Sequence, residues 1–211
     1  MNTSPIFAET EVETRSNTIG SDSRKFATIS TIVTAAEYGG FRKLLIDLEG
    51  ANDGSYRDLV EFFGKFFEEY ARVFPELLPG TGAIERQKIR KESFTVSNIM
   101  LHPLFRMAKD IWKEYHYVRH ADWRDRNDWK DAIAKLNLPV DGAEGGKVGI
   151  MHRNNPAWRG KVLTETWGPD GLTGYSLSNT RQTRDAAFKY MLEVTGLNTM
   201  LHRDTKAPND D

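Results

Sequence analysis

Cysteine is absent from the 211 residues. That excludes disulfides, zinc–thiolate sites, iron–sulfur clusters and cysteine nucleophiles. Net charge is nearly absent as well: 29 Lys and Arg stand against 30 Asp and Glu, a formal −1. A chain so balanced is neither a globally basic nucleic-acid binder nor a polyacidic tail protein, so any anion site must come from local clustering. No apolar run approaches the roughly 18 residues of a membrane-spanning helix. The N-terminus carries Glu9, Glu11 and Glu13 where a secretory signal wants a basic and then an apolar stretch. The chain is therefore expected to be soluble and cytoplasmic, with no membrane partner. Nucleophile signatures are missing too. There is no GxSxG, no SxxK and no Walker A loop. Gly142 to Gly149 is rich in glycine, but Asp141 and Glu144 would repel phosphate and no GK[ST] follows. The expectation is a protein without enzymatic activity, catalytic residues, metal or cofactor.

What is present is an ordinary globular composition, 39% hydrophobic with 17 glycines. Residues 1–24 are polar and lack periodicity, which predicts a flexible N-terminal arm. Residues 25–200 read as one mainly helical domain, and 201–211 as a flexible tail. Apolar residues recur at helical spacing from Phe26 to Leu48, with Gly39-Gly40 between. Glycine costs about 1 kcal/mol in a helix interior, so this segment reads as two short helices or one broken helix. Tyr56 to Phe74 is the clearest helix: Leu59, Phe62, Phe63, Phe66, Phe67 and Tyr70 make an aromatic core face, and Pro75 ends it. Further helices are expected over Ala83 to Glu92, from Ser97 to about Tyr117, over Asp122 to Leu136, and from Thr180 to Thr195 with Gly196 as the stop. After Leu138 glycines mark a loop. Lys161 to Trp167 and Leu172 to Leu177 read as strands joined by the turn Gly168-Pro169-Asp170-Gly171. The fold class is mainly α: a multi-helix globular domain with one small C-terminal β-hairpin.

Local charge singles out His152 to Lys189. Arg153, Arg159, Lys161, Arg181, Arg184 and Lys189 face only Glu165, Asp170 and Asp185, a net +3. Arg181 and Arg184 fall at the start of the last helix, where the partial positive charge of free N–H groups ordinarily attracts acids. Two arginines there suit a phosphate; the other reading is a pair of exposed arginines balanced by Asp185 or another carboxylate. Ser178, Asn179 or Thr180 is the expected N-cap, with Gln182 able to complete a capping box with Asn179. In Asn154 to Gly160, Trp158 could stack on a base with Arg159 on the backbone. Alternatively Trp158 anchors the loop while Asn155 makes an Asx turn before Pro156, the reading composition favours.

Other clusters are weaker. Arg86, Lys88, Arg90 and Lys91 read as a solvated basic helix face, or as a second phosphate-contacting surface. His116 and His120 share a helix face at i, i+4 but lack the HExxH form of a metal site. Asp122, Asp125, Asp128 and Asp131 recur every third residue among Arg124, Arg126 and Lys130, a pattern of ion pairs along a helix.

Four segments stand in order along the chain: Phe26-Ala27-Thr28-Ile29-Ser30, the stretch from Ile89-Arg90-Lys91-Glu92-Ser93-Phe94 to Leu101-His102, Asn155-Pro156-Ala157-Trp158-Arg159-Gly160-Lys161, and Ser178-Asn179-Thr180-Arg181-Gln182. Together they resemble the helical half of the DndB/DGQHR-domain family, proteins encoded with DNA phosphorothioation systems. The third is similar to the family's NP-x-W-x-G-[RK] signature. No DGQHR occurs, so the chain resembles the C-terminal helical half alone, and nothing residing in the DGQHR half carries over. The resemblance implies a DNA-linked role: regulating transcription of a modification cluster, or assisting modification and phage restriction. The expected nucleic-acid-binding surface comprises Arg153, Asn155, Trp158, Arg159, Lys161, Asn179, Arg181, Gln182 and Arg184, converging on one concavity. The expected partner is DNA, with a separate DGQHR-domain protein or modification-complex subunits as further partners. The alternative function is a protein–protein module docking on such a partner through an exposed aromatic patch. A third reading is a phosphate-handling enzyme using Arg181, Arg184 and His152.

Overall fold

The computed structural model describes residues 12–13, 25, 27–49, 54–95 and 97–201. Of the expected N-terminal arm, only Val12 and Glu13 fall among these; the expected tail, beyond Leu201, lies outside them. Val12–Glu13 (β1) pairs in parallel with Ala27–Thr28 (β2), and Val12 is buried.

The helical body follows the apolar periodicity. Ile29–Tyr38 (α1) and Phe41–Glu49 (α2) are two helices broken at Gly39-Gly40. Gly40 has φ +70, a left-handed conformation that glycine adopts without steric cost. Ser55–Val73 (α3) buries Leu59, Phe62, Phe66 and Phe67 completely. Each such side chain contributes roughly 1.5–3 kcal/mol by leaving water. Ala83–Glu92 (α4) follows a Pro/Gly turn as expected.

Asn98–Lys113 (α5) is the central helix, and α1, α2, α3 and the last long helix all pack on it. Ile99 to Phe105 are buried on every side, as in a helix enclosed by neighbours. From Glu114 to Arg119 the helix widens into a π-turn and ends at His120 with φ +49. That geometry removes the i, i+4 histidine pair. His116 stacks on Trp112 at 4.4 Å, with its Nε2 3.2 Å from Ser55 Oγ, while His120 is the cap. No His/Asp/Glu group suited to a metal occurs among the described residues.

The single helix expected over Asp122 to Leu136 is three pieces: a 3-10 turn Trp123–Asp125, the helix Asp128–Ala134 (α6) and a 3-10 turn Lys135–Asn137. The cause lies in Asp122 and Asp58. Asp122 caps the N–H of Arg124. Asp58 on α3 accepts from the indole N–H groups of both Trp112 and Trp123, at 2.8 and 3.0 Å, and pairs with Arg124. Satisfying both buried indoles on one carboxylate fixes Trp123 in a turn. Two of the four periodic aspartates do form ion pairs, Asp122 with Arg124 and Asp128 with Arg119.

The glycine-rich segment read as a loop holds a second small hairpin, Pro139–Asp141 (β3) with Lys147–Gly149 (β4). The expected hairpin is Leu163–Gly168 (β5) with Gly171–Leu177 (β6), antiparallel, with an irregularity at Thr166/Trp167. Arg181–Thr195 (α7) stops at Gly196, whose φ of +75 is the left-handed cap the sequence implied. Leu197–Met200 (α8) closes the body. Buried residues from Ala27 to Leu201 form one hydrophobic cluster, and the fold is mainly α. No described helix is long and apolar enough to cross a membrane.

Candidate nucleic-acid interface

The expected surface divides into a buried part and an exposed part. Trp158 has no exposed surface. Its indole N–H donates to the Ile150 carbonyl at 2.7 Å, and its ring meets Phe94 and Tyr190 edge-on. It cannot stack on a base. Asn155 is buried as well: its amide donates to the Ile150 carbonyl and to Tyr190 Oη, and its Oδ1 caps the Ala157 N–H of the 3-10 turn Pro156–Trp158. Both residues are corrected from nucleic-acid contacts to anchors. A loop entering a helical core must satisfy its own backbone, and Asn155 and Trp158 do this together. Arg153 lies half-buried over the Phe94 ring, its Nε buried without a hydrogen-bond partner. Burial pulls its pKa below the usual arginine value.

Arg159 is exposed at the base of the β5–β6 hairpin, its guanidinium 4.7 Å from the Tyr175 ring centroid. Lys161 Nζ donates to the Ala157 carbonyl at 3.0 Å.

The start of α7 keeps its expected character. Its first turn holds no acid. Thr180 is the N-cap, and the capping box closes with Thr183, so the box expected between Asn179 and Gln182 is corrected. A hydroxyl at the third helical position does the work that Gln182 was expected to do, and Gln182 is left exposed. Asn179 Oδ1 instead accepts from Arg184 Nε at 2.9 Å, and the Arg184 guanidinium sits 5.3 Å from the Tyr38 ring centroid.

Arg181 opens into a hollow of about 370 Å³ that it lines with Tyr38, Gly40, Arg106, Lys109 and Asp185. An adjoining hollow of about 270 Å³ shares Arg106, Arg181 and Asp185 and adds Phe188 and Lys189. Together they form one trough between the α1–α2 break, α5 and α7. Four cations line it against one carboxylate, beside the positive end of a fifteen-residue helix. No residue of the Trp158 loop takes part in these linings. The expected convergence of the two segments is therefore replaced by a convergence of α7 on α5.

Polar contacts order the trough. Asp185 Oδ1 accepts from Tyr38 Oη at 2.7 Å and from Arg106 at 3.1 Å. Arg106 also lies over the Phe188 ring, 4.1 Å from its centroid. Burial, helped by the hydrogen bond to Asp185, pushes the Tyr38 hydroxyl up to about 12, so it stays a donor. Beneath it, His102 is 2% exposed and meets the Tyr38 ring edge-on. Its Nδ1 is buried without a hydrogen-bond partner. Burial, with the Arg184 charge, lowers its pKa to about 4, so the ring is neutral near pH 7.

Arg106, Lys109, Lys189 and Tyr38 were not among the residues read as a site. Arg106 and Lys109 stand three residues apart in a stretch that also holds His102 and Asp110, so no local pattern singled them out. The Gly39-Gly40 pair, read only as a helix break, is what lets α1 approach them. Other clusters separate from the trough. Arg86 is buried and donates to the carbonyls of Leu77 and Leu78, and Arg90 donates to that of Lys25. The α4 cluster is thus not a solvated basic face, because two of its four cations satisfy main-chain carbonyls. His152 lines a different hollow with Glu76, Glu85 and Glu92, so the phosphate-handling enzyme loses the residue it needed beside Arg181.

A protein-family model described as DndB, DNA-sulfur modification-associated, matches residues 1–198. None of the curated proteins and none of the solved structures compared with the chain matches it.

Proposed function

The chain belongs to the DndB family of DNA-sulfur-modification-associated proteins, and from that premise we propose that it is a DNA-associated accessory or transcription-regulatory protein of a DNA sulfur-modification or phage-defence system. It grips the DNA backbone through phosphates. The observation that carries this reading is the trough: Arg106 and Lys109 of α5 gather on one concavity with Arg181 and Lys189 of α7. Guanidinium and ammonium donors beside free helix N–H groups favour a phosphate over any neutral ligand. Arg184 and, at the hairpin base, Arg159 extend the positive surface.

The test is a salt titration of duplex binding by fluorescence anisotropy. Each neutralised phosphate contributes a slope of about −0.9 in log K against log salt. Three or four contacts give a slope near −3 and a steep loss of affinity between about 50 and 200 mM salt. Lys109→Gln with Arg181→Gln shallows the slope by roughly two. If neither plain nor sulfur-modified duplex binds at low salt, the reading is lost.

A second reading, docking on a DGQHR-domain protein or a modification-complex subunit, draws on a different observation. Trp167 is 67% exposed and Leu172 47%, and they are cross-strand partners next to the β5–β6 turn. An apolar pair left in water at the tip of a two-stranded ribbon suits a protein surface.

A further inference from the structure

Within the trough, Asp185 is the acceptor that the Tyr38 hydroxyl and the Arg106 guanidinium share. It lines both hollows and is the single carboxylate doing so. Its Oδ1 collects the Tyr38 hydroxyl at 2.7 Å and the Arg106 guanidinium at 3.1 Å. Those are the donor types a backbone phosphate uses, and a carboxylate and a phosphate present the same kind of oxygen to them. The pair is reachable from solvent: the Arg106 side chain is 37% exposed and that of Asp185 38%. It is not a sealed structural bridge.

We propose that Asp185 is an internal anion that occupies the phosphate subsite, so that DNA must displace its carboxylate to reach Arg106 and Tyr38. This rests on the phosphate-gripping reading above and adds a competitor to it. Displacement leaves no orphaned charge. Arg181 and Lys189 lie four residues before and after Asp185 on α7, on the same helix face. A rotated carboxylate exchanges Arg106 for either of them. Meanwhile Arg106 keeps its seat over Phe188 and Tyr38 keeps its proton, so both donors stay in place for the incoming oxygen. The consequence is a site that holds DNA only when the backbone supplies several phosphates at once, because a lone anion does not outcompete a tethered one.

Asp185→Asn tests this in the full chain. Asparagine keeps Oδ1 to accept from Tyr38 and removes only the charge. Binding of a short fluorescein-labelled duplex should tighten roughly two- to fivefold, the worth of an exposed ion pair. The salt slope should stay unchanged, because Arg106 meets a phosphate in both proteins and only the cost of displacing the carboxylate is removed. Arg106→Gln should abolish the tightening when combined with Asp185→Asn, because the gain is the release of Arg106. An equal gain with and without Arg106 means removal of one negative charge at a distance and overturns the proposal. So does an Asp185→Asn protein that binds like the wild type; in that case the phosphate-gripping reading survives. If neither protein binds duplex at low salt, both fall together.

Discussion

Gly39 lies against the backbone of Arg106 so closely that a Cβ at position 39 would sit 3.1 Å from the Arg106 amide nitrogen and 3.1 Å from Phe105 Cβ. This contact is the hinge of the site. It brings the end of α1, and with it Tyr38, down onto the polar side of α5. Backbone is on the other side of the gap, so the strain of an added methyl cannot be relieved by a flexible side chain. Gly39→Ala should therefore push α1 from α5 and destabilise the fold by about 1–3 kcal/mol, the usual cost of overpacking. It should also weaken duplex binding by withdrawing Tyr38 from the trough it lines. Chemical denaturation and anisotropy measure the two effects. A stable Gly39→Ala protein with wild-type affinity would mean that this approach does not position the trough.

Trp158 separates a structural role from a binding role. With its indole fully buried and bonded to Ile150, Trp158→Ala should cost about 3–5 kcal/mol. In a protein of this size that lowers the melting temperature by roughly 6–20 °C. Among molecules still folded, duplex affinity and salt slope should match the wild type. A fall in affinity with an unchanged melting temperature would restore Trp158 to the interface.

Much of the body is legible in the sequence, because the apolar period of α3 and the capping glycine after α7 are local signals that tertiary packing only confirms. The β5–β6 turn is local in the same way. The break in the Asp122 to Leu136 segment was not legible, since it depends on Asp58, more than sixty residues away, accepting from two indoles. The trough shows the same limit. Arg181 was found from its place at a helix start, whereas Arg106, Lys109 and Tyr38 join it through long-range contacts that no spacing encodes. Trp158 failed for a further reason. A tryptophan beside an arginine in a loop reads equally as a stacking platform or as an anchor, and only burial decides between them.

The exposed pair at the hairpin tip gives a prediction independent of DNA. Trp167→Ala removes a side chain that is 67% in water. Its effect on stability should stay within about 0.5 kcal/mol, as for surface sites in general. Duplex binding should be unchanged. What should change is co-purification with a protein partner from a cell that carries the modification system. If Trp167→Ala instead lowers the melting temperature strongly, the tip packs on the body and is not offered to a partner.

His102 makes stability depend on pH in a direction that can be worked out. Its pKa falls from 6.5 in the unfolded chain to about 4 in the fold. The unfolded state thus binds more protons between these values, and stability falls as pH drops through that window. The contribution is fully present above pH 6.5. By pH 5 about 2 kcal/mol of it is lost, and near pH 4 the loss approaches about 3 kcal/mol. Carboxylates add their own acid dependence, so the comparison must be with a chain that lacks the imidazole. His102→Leu suits this, because Nδ1 has no partner to lose and an apolar side chain of similar size fits a buried site. Denaturation at pH 7 should find the two proteins within about 1 kcal/mol of each other. At pH 5 the wild type should have lost about 2 kcal/mol more than His102→Leu. Parallel pH profiles for the two proteins would show that His102 takes up its proton in the fold as readily as in the unfolded chain, and that the space beneath Tyr38 admits water.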